Sequence, residues 1–128
     1  MQILYDADCG LCRVSVALLL RWDRHRSFEA VALQSDRAAA LLADMDEAER
    51  MASFHAVVAD GSVLSGSDAV PAVLSALPGA GVLEHASRRL PRVTALTYGA
   101  VVAQRSRIGP LIPDRVRQWA ERELERTP

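Results

Sequence analysis

Lysine is absent from this 128-residue chain, and arginine supplies all 15 of its basic residues. This absence excludes any reaction that requires a lysine amine. Aromatic residues make up only 5% of the chain, and the acidic and basic residues nearly balance, which gives a formal net charge of −1. A charge so close to zero does not favour nonspecific attraction to nucleic acid. We therefore expect no nucleic-acid partner.

Long apolar runs are missing as well. The longest uncharged stretch, residues 69–83, is interrupted by two prolines and two glycines. It is also shorter than the roughly 20 residues that a helix needs to cross a bilayer. The N-terminal residues MQILYDADCG lack a basic segment followed by a long apolar run and a cleavage site. We therefore expect no signal peptide, no membrane partner and a cytoplasmic location.

The chain contains only two cysteines, and they are close together in the sequence. Cys9 and Cys12 form a C-x-x-C pair within ILYDADCGLCRVSVALLL, residues 3–20, and Asp6 and Asp8 precede them. A chain of this length can bury a core without crosslinks. In a reducing cytosol, closely spaced cysteines favour redox or metal chemistry over a structural bridge.

Short apolar runs alternate with helical patterns in the first part of the chain. Strands are predicted at Gln2–Tyr5 and at residues 27–33. The pattern after the first strand predicts a helix at Leu11–Trp22 with Asp8 as its N-cap. A second helix is expected in SDRAAALLADM, residues 35–45, where Ser35 or Asp36 is the cap.

Two more apolar runs flank Asp60-Gly61 in FHAVVADGSVLSG, residues 54–66. An Asp-Gly pair is typical of tight hairpin turns, so we predict two antiparallel strands. Ser67 and Asp68 are expected to cap a helix that reaches about Leu77, with Pro71 in its first turn. The order βαβαββα predicts an α/β fold with a mixed sheet, which is the minimal thioredoxin arrangement.

The remainder of the chain is predicted to be helical, at residues 82–90, 93–107 and 114–125. We expect one thioredoxin-like domain over residues 1–128, with a core at about 1–77 and additional C-terminal helices at 78–128 packed on it. The apolar stripe of the last helix, which includes Trp119, could also dock a second copy of the chain as a homodimer.

The position of the cysteines suggests different roles for them. Cys9 is expected where the first strand ends and the first helix begins, where unpaired N–H groups and the helix dipole favour a thiolate. Cys12 should lie one turn inside the helix, within reach of Cys9.

The charges near the pair have opposite effects on the pKa of the cysteines. Asp6 and Asp8 would raise this pKa, whereas Arg13 and the helix terminus would lower it, and the sequence leaves the balance open. Asp6 is also a candidate general base for Cys12.

YDADCGLCRVSV resembles the signature of the DCC family of predicted thiol–disulfide oxidoreductases, whose Asp-Cys-Cys pattern matches Asp6, Cys9 and Cys12. The resemblance extends to ALQS at 32–35, DGSVLSGSDAV at 60–70 and YGAVVAQR at 98–105, where Tyr98 and Arg105 match the family's Tyr and Arg. It implies a thioredoxin-like fold and a redox-active Cys9–Cys12 pair. Tyr98 and Arg105 share one helix face and could cover the redox site or serve a stacking and capping role.

The chain departs from the related patterns at three positions. Ala7 stands where the family commonly has glycine, and Gln104 stands where an asparagine usually precedes the arginine. In thioredoxins a cis-proline faces the cysteines and helps to dock the substrate backbone. The corresponding position falls near Ser53, where no proline occurs, and this disfavours docking of a protein disulfide in the thioredoxin manner.

The sequence also allows three alternative interpretations. A zinc site would need two ligands besides the cysteines, and the candidates are His25, His55, His85 and the aspartates, at spacings that match no finger or ribbon. The D-x-D of ILYDAD is also found in phosphatases that use an aspartate nucleophile, but their chemistry normally requires a lysine. The third alternative is a non-catalytic redox-sensing or partner-binding module.

The favoured prediction is a thiol–disulfide oxidoreductase. Cys9 attacks a disulfide of a protein or small-molecule substrate, Cys12 resolves the mixed disulfide, and Asp6 assists the proton transfer. We expect no metal and no organic cofactor, only an external thiol reductant. The candidate accessory residues are Asp8, Arg13, Tyr98 and Arg105.

Overall fold

The structure is a computed structural model that describes residues 1–126. Its four strands, β1 (Gln2–Tyr5), β2 (Glu29–Ala32), β3 (His55–Val57) and β4 (Val63–Ser65), form one sheet in the order β2-β1-β3-β4. β1 pairs in parallel with β2, with Gln2 opposite Glu29, and antiparallel with β3, with Leu4 opposite His55. β3 and β4 form the predicted antiparallel hairpin. Gly61, in the hairpin turn, has a φ of +85°, a conformation that glycine adopts without strain.

Seven α-helices accompany the sheet in the described residues: α1 (Gly10–Trp22), α2 (Asp36–Leu41), α3 (Glu47–Ala52), α4 (Val70–Ser75), α5 (Gly81–Arg89), α6 (Pro91–Ile108) and α7 (Asp114–Arg126). Short 3-10 helices lie at Gly66–Ala69 and Gly109–Leu111. The predicted α/β arrangement with a mixed sheet and additional C-terminal helices is confirmed.

The predicted second helix is shorter than expected, because α2 ends at Leu41, and it is followed by a helix that was not predicted, α3. α2 is capped by Ser35, whose Oγ accepts the N–H of Ala38. A capping box between Asp46 and Glu49 then starts α3, because each side chain accepts the backbone N–H of the other residue.

Two predicted helix caps are wrong. The N-cap of α1 is Cys9 and not Asp8, because the Cys9 backbone is extended and its Sγ accepts the N–H of Cys12. Ser67 and Asp68 do not cap α4 but lie within the preceding 3-10 helix. α4 begins at Val70 without a side-chain cap, and Pro71 occupies its first turn as expected.

Side chains from β1 reach both faces of the sheet because successive residues of a strand point in opposite directions. Ile3 and Tyr5 belong to one buried cluster, and Leu4 belongs to the other. The first cluster also contains Val16 of α1, Phe28, Ala56 and, around α4, Ala69, Val73, Leu77 and Ala80. The second contains Val31, Leu33, Ala38, Leu42 and Val57.

α7 packs against α1, the helix that follows the first cysteine. Ala120 of α7 is fully buried, and Leu124 packs against the first core cluster. Arg13 of α1 forms an ion pair with Glu121 at 2.8 Å. The final helix is therefore joined to the helix that carries Cys12.

Candidate active site

The two cysteines lie at the junction of β1 and α1. The chain leaves β1 at Tyr5 and turns, with the N–H of Cys9 donating to the carbonyl oxygen of Asp6 at 3.3 Å. α1 begins at Gly10, so Cys12 is in its first turn. Both cysteines are free and half-buried. The predicted strand-to-helix setting of the pair is confirmed.

The sulfur of Cys9 has a local partner. Its Sγ accepts the backbone N–H of Cys12 at 3.3 Å. It therefore satisfies one of the N–H groups that a helix leaves unpaired at its N-terminus. This end of the helix carries a partial positive charge, which stabilises negative charge on a capping group.

Cys12 has a different environment. Burial raises the pKa of the Cys12 thiol to about 12, and its hydrogen bond with Cys9 and the charge of Cys9 act in the same direction. The charge of Arg105 lowers this pKa and that of Asp6 raises it, but both effects are smaller. Cys12 therefore holds its proton at neutral pH.

Gln34 joins the two aspartates that precede the pair. Its Nε2 donates to Asp6 Oδ1 at 2.8 Å and to Asp8 Oδ2 at 3.2 Å, and its Oε1 accepts the N–H of Ala7 at 3.1 Å. Asp6 Oδ1 also accepts the N–H of Asp8 at 3.0 Å. Gln34 was not among the predicted site residues. The sequence did contain a signal for this position. Gln34 follows β2 in ALQS, and β2 is parallel to β1, so both strands end at the same edge of the sheet, where Asp6 and Asp8 also lie.

Arg13, the predicted accessory residue on α1, contacts α7. Its guanidinium is paired with Glu121, and its charge lowers the pKa of Tyr5 against the dominant effect of burial. The cation whose charge acts on Cys12 is Arg105 of α6.

Tyr98 and Arg105 both lie along the face of α6 that is directed toward the cysteines. The ring of Tyr98 packs against Phe54 with centroids 5.7 Å apart, and its hydroxyl oxygen accepts the N–H of Phe54 at 3.3 Å. Burial raises the pKa of Tyr98. Arg105 donates from Nη2 to the carbonyl oxygen of Met51 at 3.3 Å. The two side chains thus hold α6 against the segment that leads into β3.

Ser53 is the residue near which the thioredoxin cis-proline was expected. It ends α3 with an extended backbone, and residues 1–126 contain no cis peptide bond. The Tyr98 side chain forms a hydrogen bond with that of Ser53, and a Cβ on the nearby Gly66 would lie 3.2 Å from the Tyr98 ring and 3.6 Å from Ser53 Cβ. An aromatic side chain from α6 therefore lies against Ser53.

The sequence of this chain matches the model of a known protein family. The model of the DCC1-like thiol-disulfide oxidoreductases matches residues 3–110. The chain belongs to this family. The match includes the cysteine pair, Asp6, Tyr98 and Arg105, and it ends before α7. The predicted family and its thioredoxin-like fold are confirmed. No curated protein and no solved structure matches the chain.

The DCC1-like domain has an apolar cavity of about 530 Å³ beside Cys12, open to solvent on the side of α5 and α6, where Leu83, Leu90 and Val93 are exposed. Cys12 lies in its wall, together with residues of β1, α1, α4, α5 and α6. This cavity could not be predicted from the sequence, because it depends on how α5 and α6 fold over the first helix. Its volume is typical of small-molecule sites.

Two glycines lie near each other where the C-terminal end of α6 meets this domain's cysteine turn. A Cβ on Gly10, the residue after Cys9, would lie 3.5 Å from the carbonyl oxygen of Gly109, which is an ordinary van der Waals distance. Gly109 directly follows α6. The end of α6 is thus a neighbour of the residue after Cys9.

The donor groups weighed for a zinc site do not cluster in this family member. His55 is buried, and its ring nitrogens bond to Ser65 Oγ at 2.7 Å and to the carbonyl oxygen of Arg50 at 2.9 Å. His25 and His85 are exposed. Within residues 1–126, no group of three or more His, Cys, Asp or Glu side chains could hold a metal ion. No helix in that range is both long and apolar enough to cross a bilayer.

Proposed function

We propose that this protein catalyses thiol–disulfide exchange with Cys9 as the nucleophile and Cys12 as the resolving thiol. The observation that carries the proposal is the division between the two sulfurs. Cys9 accepts the N–H of Cys12 at the N-terminus of α1, whereas burial and Cys9 itself keep the proton on Cys12. A nucleophile at a helix N-terminus beside a protonated partner is the arrangement that exchange requires.

The reaction proceeds in two steps. The Cys9 thiolate attacks one sulfur of the substrate disulfide, forms a mixed disulfide and releases the first substrate thiolate, which takes a proton from solvent. Cys12 then loses its proton and attacks the sulfur of Cys9, which forms the Cys9–Cys12 disulfide and releases the second thiolate. An external thiol reductant returns the pair to the dithiol, so no organic cofactor or metal is needed.

Charges near Cys12 assist the second step. Asp6 is the carboxylate whose charge acts on Cys12, and its bond to Gln34 holds it at the end of β1. We assign to Asp6 the role of accepting the Cys12 proton, directly or through water. Arg105 stabilises the thiolate that remains, because its charge lowers the pKa of Cys12.

The substrates are disulfides of proteins or small molecules in a reducing, cytoplasmic setting. Tyr98 forms a hydrogen bond with the side chain of Ser53, and its hydroxyl oxygen accepts the N–H of Phe54. A substrate backbone would therefore have to displace Tyr98 before it could pair with this segment. This arrangement favours small or flexible disulfides over rigid protein surfaces.

The test uses two single-cysteine variants that serve as controls for each other. Incubation with a model disulfide, followed by intact-mass analysis, should show a persistent mixed disulfide on Cys12→Ser and none on Cys9→Ser. Turnover should be lost in both. The parent should lose two hydrogens reversibly in defined redox buffers, with a midpoint of roughly −120 to −270 mV.

Two results would count against this assignment. A mixed disulfide that accumulates on Cys9→Ser would reverse the roles of the cysteines. If the parent forms the Cys9–Cys12 disulfide but does not turn over any disulfide, the pair would act as a redox sensor. In that case the oxidised and reduced forms should bind a partner differently.

A further inference from the structure

The cavity beside the cysteines is elongated along two helices. One wall is a stripe on α1 from Leu11 to Leu19, and the opposite wall is a stripe on α6 from Val93 to Arg105. Because an α-helix rises 1.5 Å per residue, these stripes extend over about 12 Å and about 18 Å. The space between them therefore suits a long, narrow ligand better than a compact one.

The two ends of this cavity differ in polarity. At one end Arg105 lies close enough to Cys12 and Tyr98 for its charge to lower the pKa of both groups. The other end is formed by α4, α5 and the later turns of α1, which contribute the leucines Leu19, Leu74, Leu83 and Leu90. A ligand that fits would be apolar along most of its length and polar at the Cys12 end.

Arg105 supplies the charge at the polar end. It is half-buried, and its described hydrogen bond is to the carbonyl oxygen of Met51. No carboxylate within residues 1–126 forms an ion pair with it. The chain contains no Asp or Glu between Glu84 and Asp114, so α6 itself offers no compensating charge. A partly desolvated guanidinium without an anion is a binding group for a carboxylate.

We propose that this cavity binds a small amphipathic carboxylate, with its hydrocarbon chain between α1 and α6 and its carboxylate on the guanidinium of Arg105. The proposal goes beyond the exchange reaction, because binding does not require the cysteines to react. Burial of a methylene contributes about 0.8 kcal/mol, which is a factor of about four in affinity. Binding should therefore strengthen with chain length while the cavity still has room.

Titration calorimetry with octanoate, decanoate and decanol tests this proposal on the reduced protein, with the carboxylates below their micelle concentrations and decanol below its solubility limit. Decanoate should bind about 15-fold more tightly than octanoate, because it has two more methylenes. Decanol, which has the same chain without the charge, should bind at least tenfold more weakly than decanoate. The Cys9→Ser variant should bind decanoate like the parent, so failed catalysis and failed binding can be distinguished.

Variants locate the ligand in the cavity. Arg105→Gln should weaken decanoate binding at least tenfold and leave decanol binding within twofold, and Arg105→Lys should recover part of the loss. Arg107→Gln, an exposed arginine on the same helix, is the matched control and should change neither. Ala86→Phe, which fills the apolar end, should weaken both ligands.

Three results would overturn the proposal. Equal binding of decanol and decanoate, or an Arg105→Gln variant that folds and binds decanoate unchanged, would show that the carboxylate does not bind Arg105. An affinity that is independent of chain length would show that the hydrocarbon chain is not buried. Unchanged binding to Ala86→Phe would place the ligand elsewhere.

Discussion

The guanidinium of Arg105 acts on Cys12 across a cavity that separates the first helix from the sixth. Its charge lowers the pKa of the Cys12 thiol, against burial and the influence of Cys9, which together raise that pKa to about 12. Cys12 is thus influenced by a cation 93 positions further along the chain.

Arg105→Gln should slow the resolution of the mixed disulfide. Without this positive charge the pKa of Cys12 rises further, and each unit of increase lowers the thiolate fraction about tenfold at neutral pH. We expect resolution to slow by about threefold to tenfold while the initial attack by Cys9 changes less. Stopped-flow mixing with a model disulfide measures both phases, and Arg107→Gln is the control. Equal slowing of both phases would contradict a specific effect on Cys12.

The raised pKa of Cys12 also predicts a loss of stability at alkaline pH. The folded protein keeps this proton until pH approaches about 12, whereas the unfolded chain releases it near the ordinary value of 9.0. The stabilising contribution is therefore fully present below pH 9.0 and is lost as the pH rises toward about 12. The slope is up to about 1.4 kcal/mol per pH unit.

Urea unfolding of the parent and of Cys12→Ala, under reducing conditions between about pH 8 and 10.5, measures this contribution. The free energy of unfolding of the parent should fall more steeply than that of the variant. Tyr5 and Tyr98, whose pKa values are also raised by burial, are present in both proteins, so their effect cancels. If the free energies of unfolding of the two proteins fall equally with pH, the pKa of Cys12 is the same in the folded and the unfolded protein.

Gln34→Leu should impair catalysis more than folding. The substitution removes both donors that hold Asp6 and Asp8, but these groups are at the surface, so the loss of stability should stay below about 1 kcal/mol. Asp6 would lose its position relative to Cys12, and we expect resolution to slow severalfold. Gln104→Leu, an exposed glutamine on α6, is the matched control. A Gln34→Leu protein with unchanged kinetics would remove the proposed role of Asp6 as a positioned base.

Ala120→Leu tests whether residues 1–128 form one domain, which stays a prediction. Ala120 is fully buried where α7 packs on α1, so a larger side chain should cost about 1–3 kcal/mol. If the C-terminal helices belong to the same domain, the whole protein should unfold in one transition at a lower urea concentration. Ala103→Leu, at an exposed position on α6, should have little effect. Two separate transitions, with only one shifted, would contradict the prediction.

Local signals in the sequence were sufficient for most of the sheet and for the setting of Cys9 and Cys12. The Asp60-Gly61 hairpin and the strand at Gln2–Tyr5 depend on residues that are adjacent in sequence, and both are confirmed. The cap of α1 was wrong because the Asp8 carboxylate has a tertiary partner, Gln34, which competes with the helix N-terminus.

Features that depend on packing could not be predicted in this way. Arg105 was correctly placed on the same helix face as Tyr98, but its effect on Cys12 follows from the fold of α6 over α1. The cavity has no sequence signature, because its lining comes from five separate elements. The cytoplasmic location and the homodimer stay predictions.

Gly10 and Gly109 bring the residue after Cys9 next to the residue after α6. A Cβ at position 10 would already be in van der Waals contact with Gly109, so there is little room for a side chain between them. A ligand that displaces the end of α6 would therefore act next to the backbone of the turn that carries Cys9. In this way two segments that are far apart in sequence share one small space beside the cysteine pair.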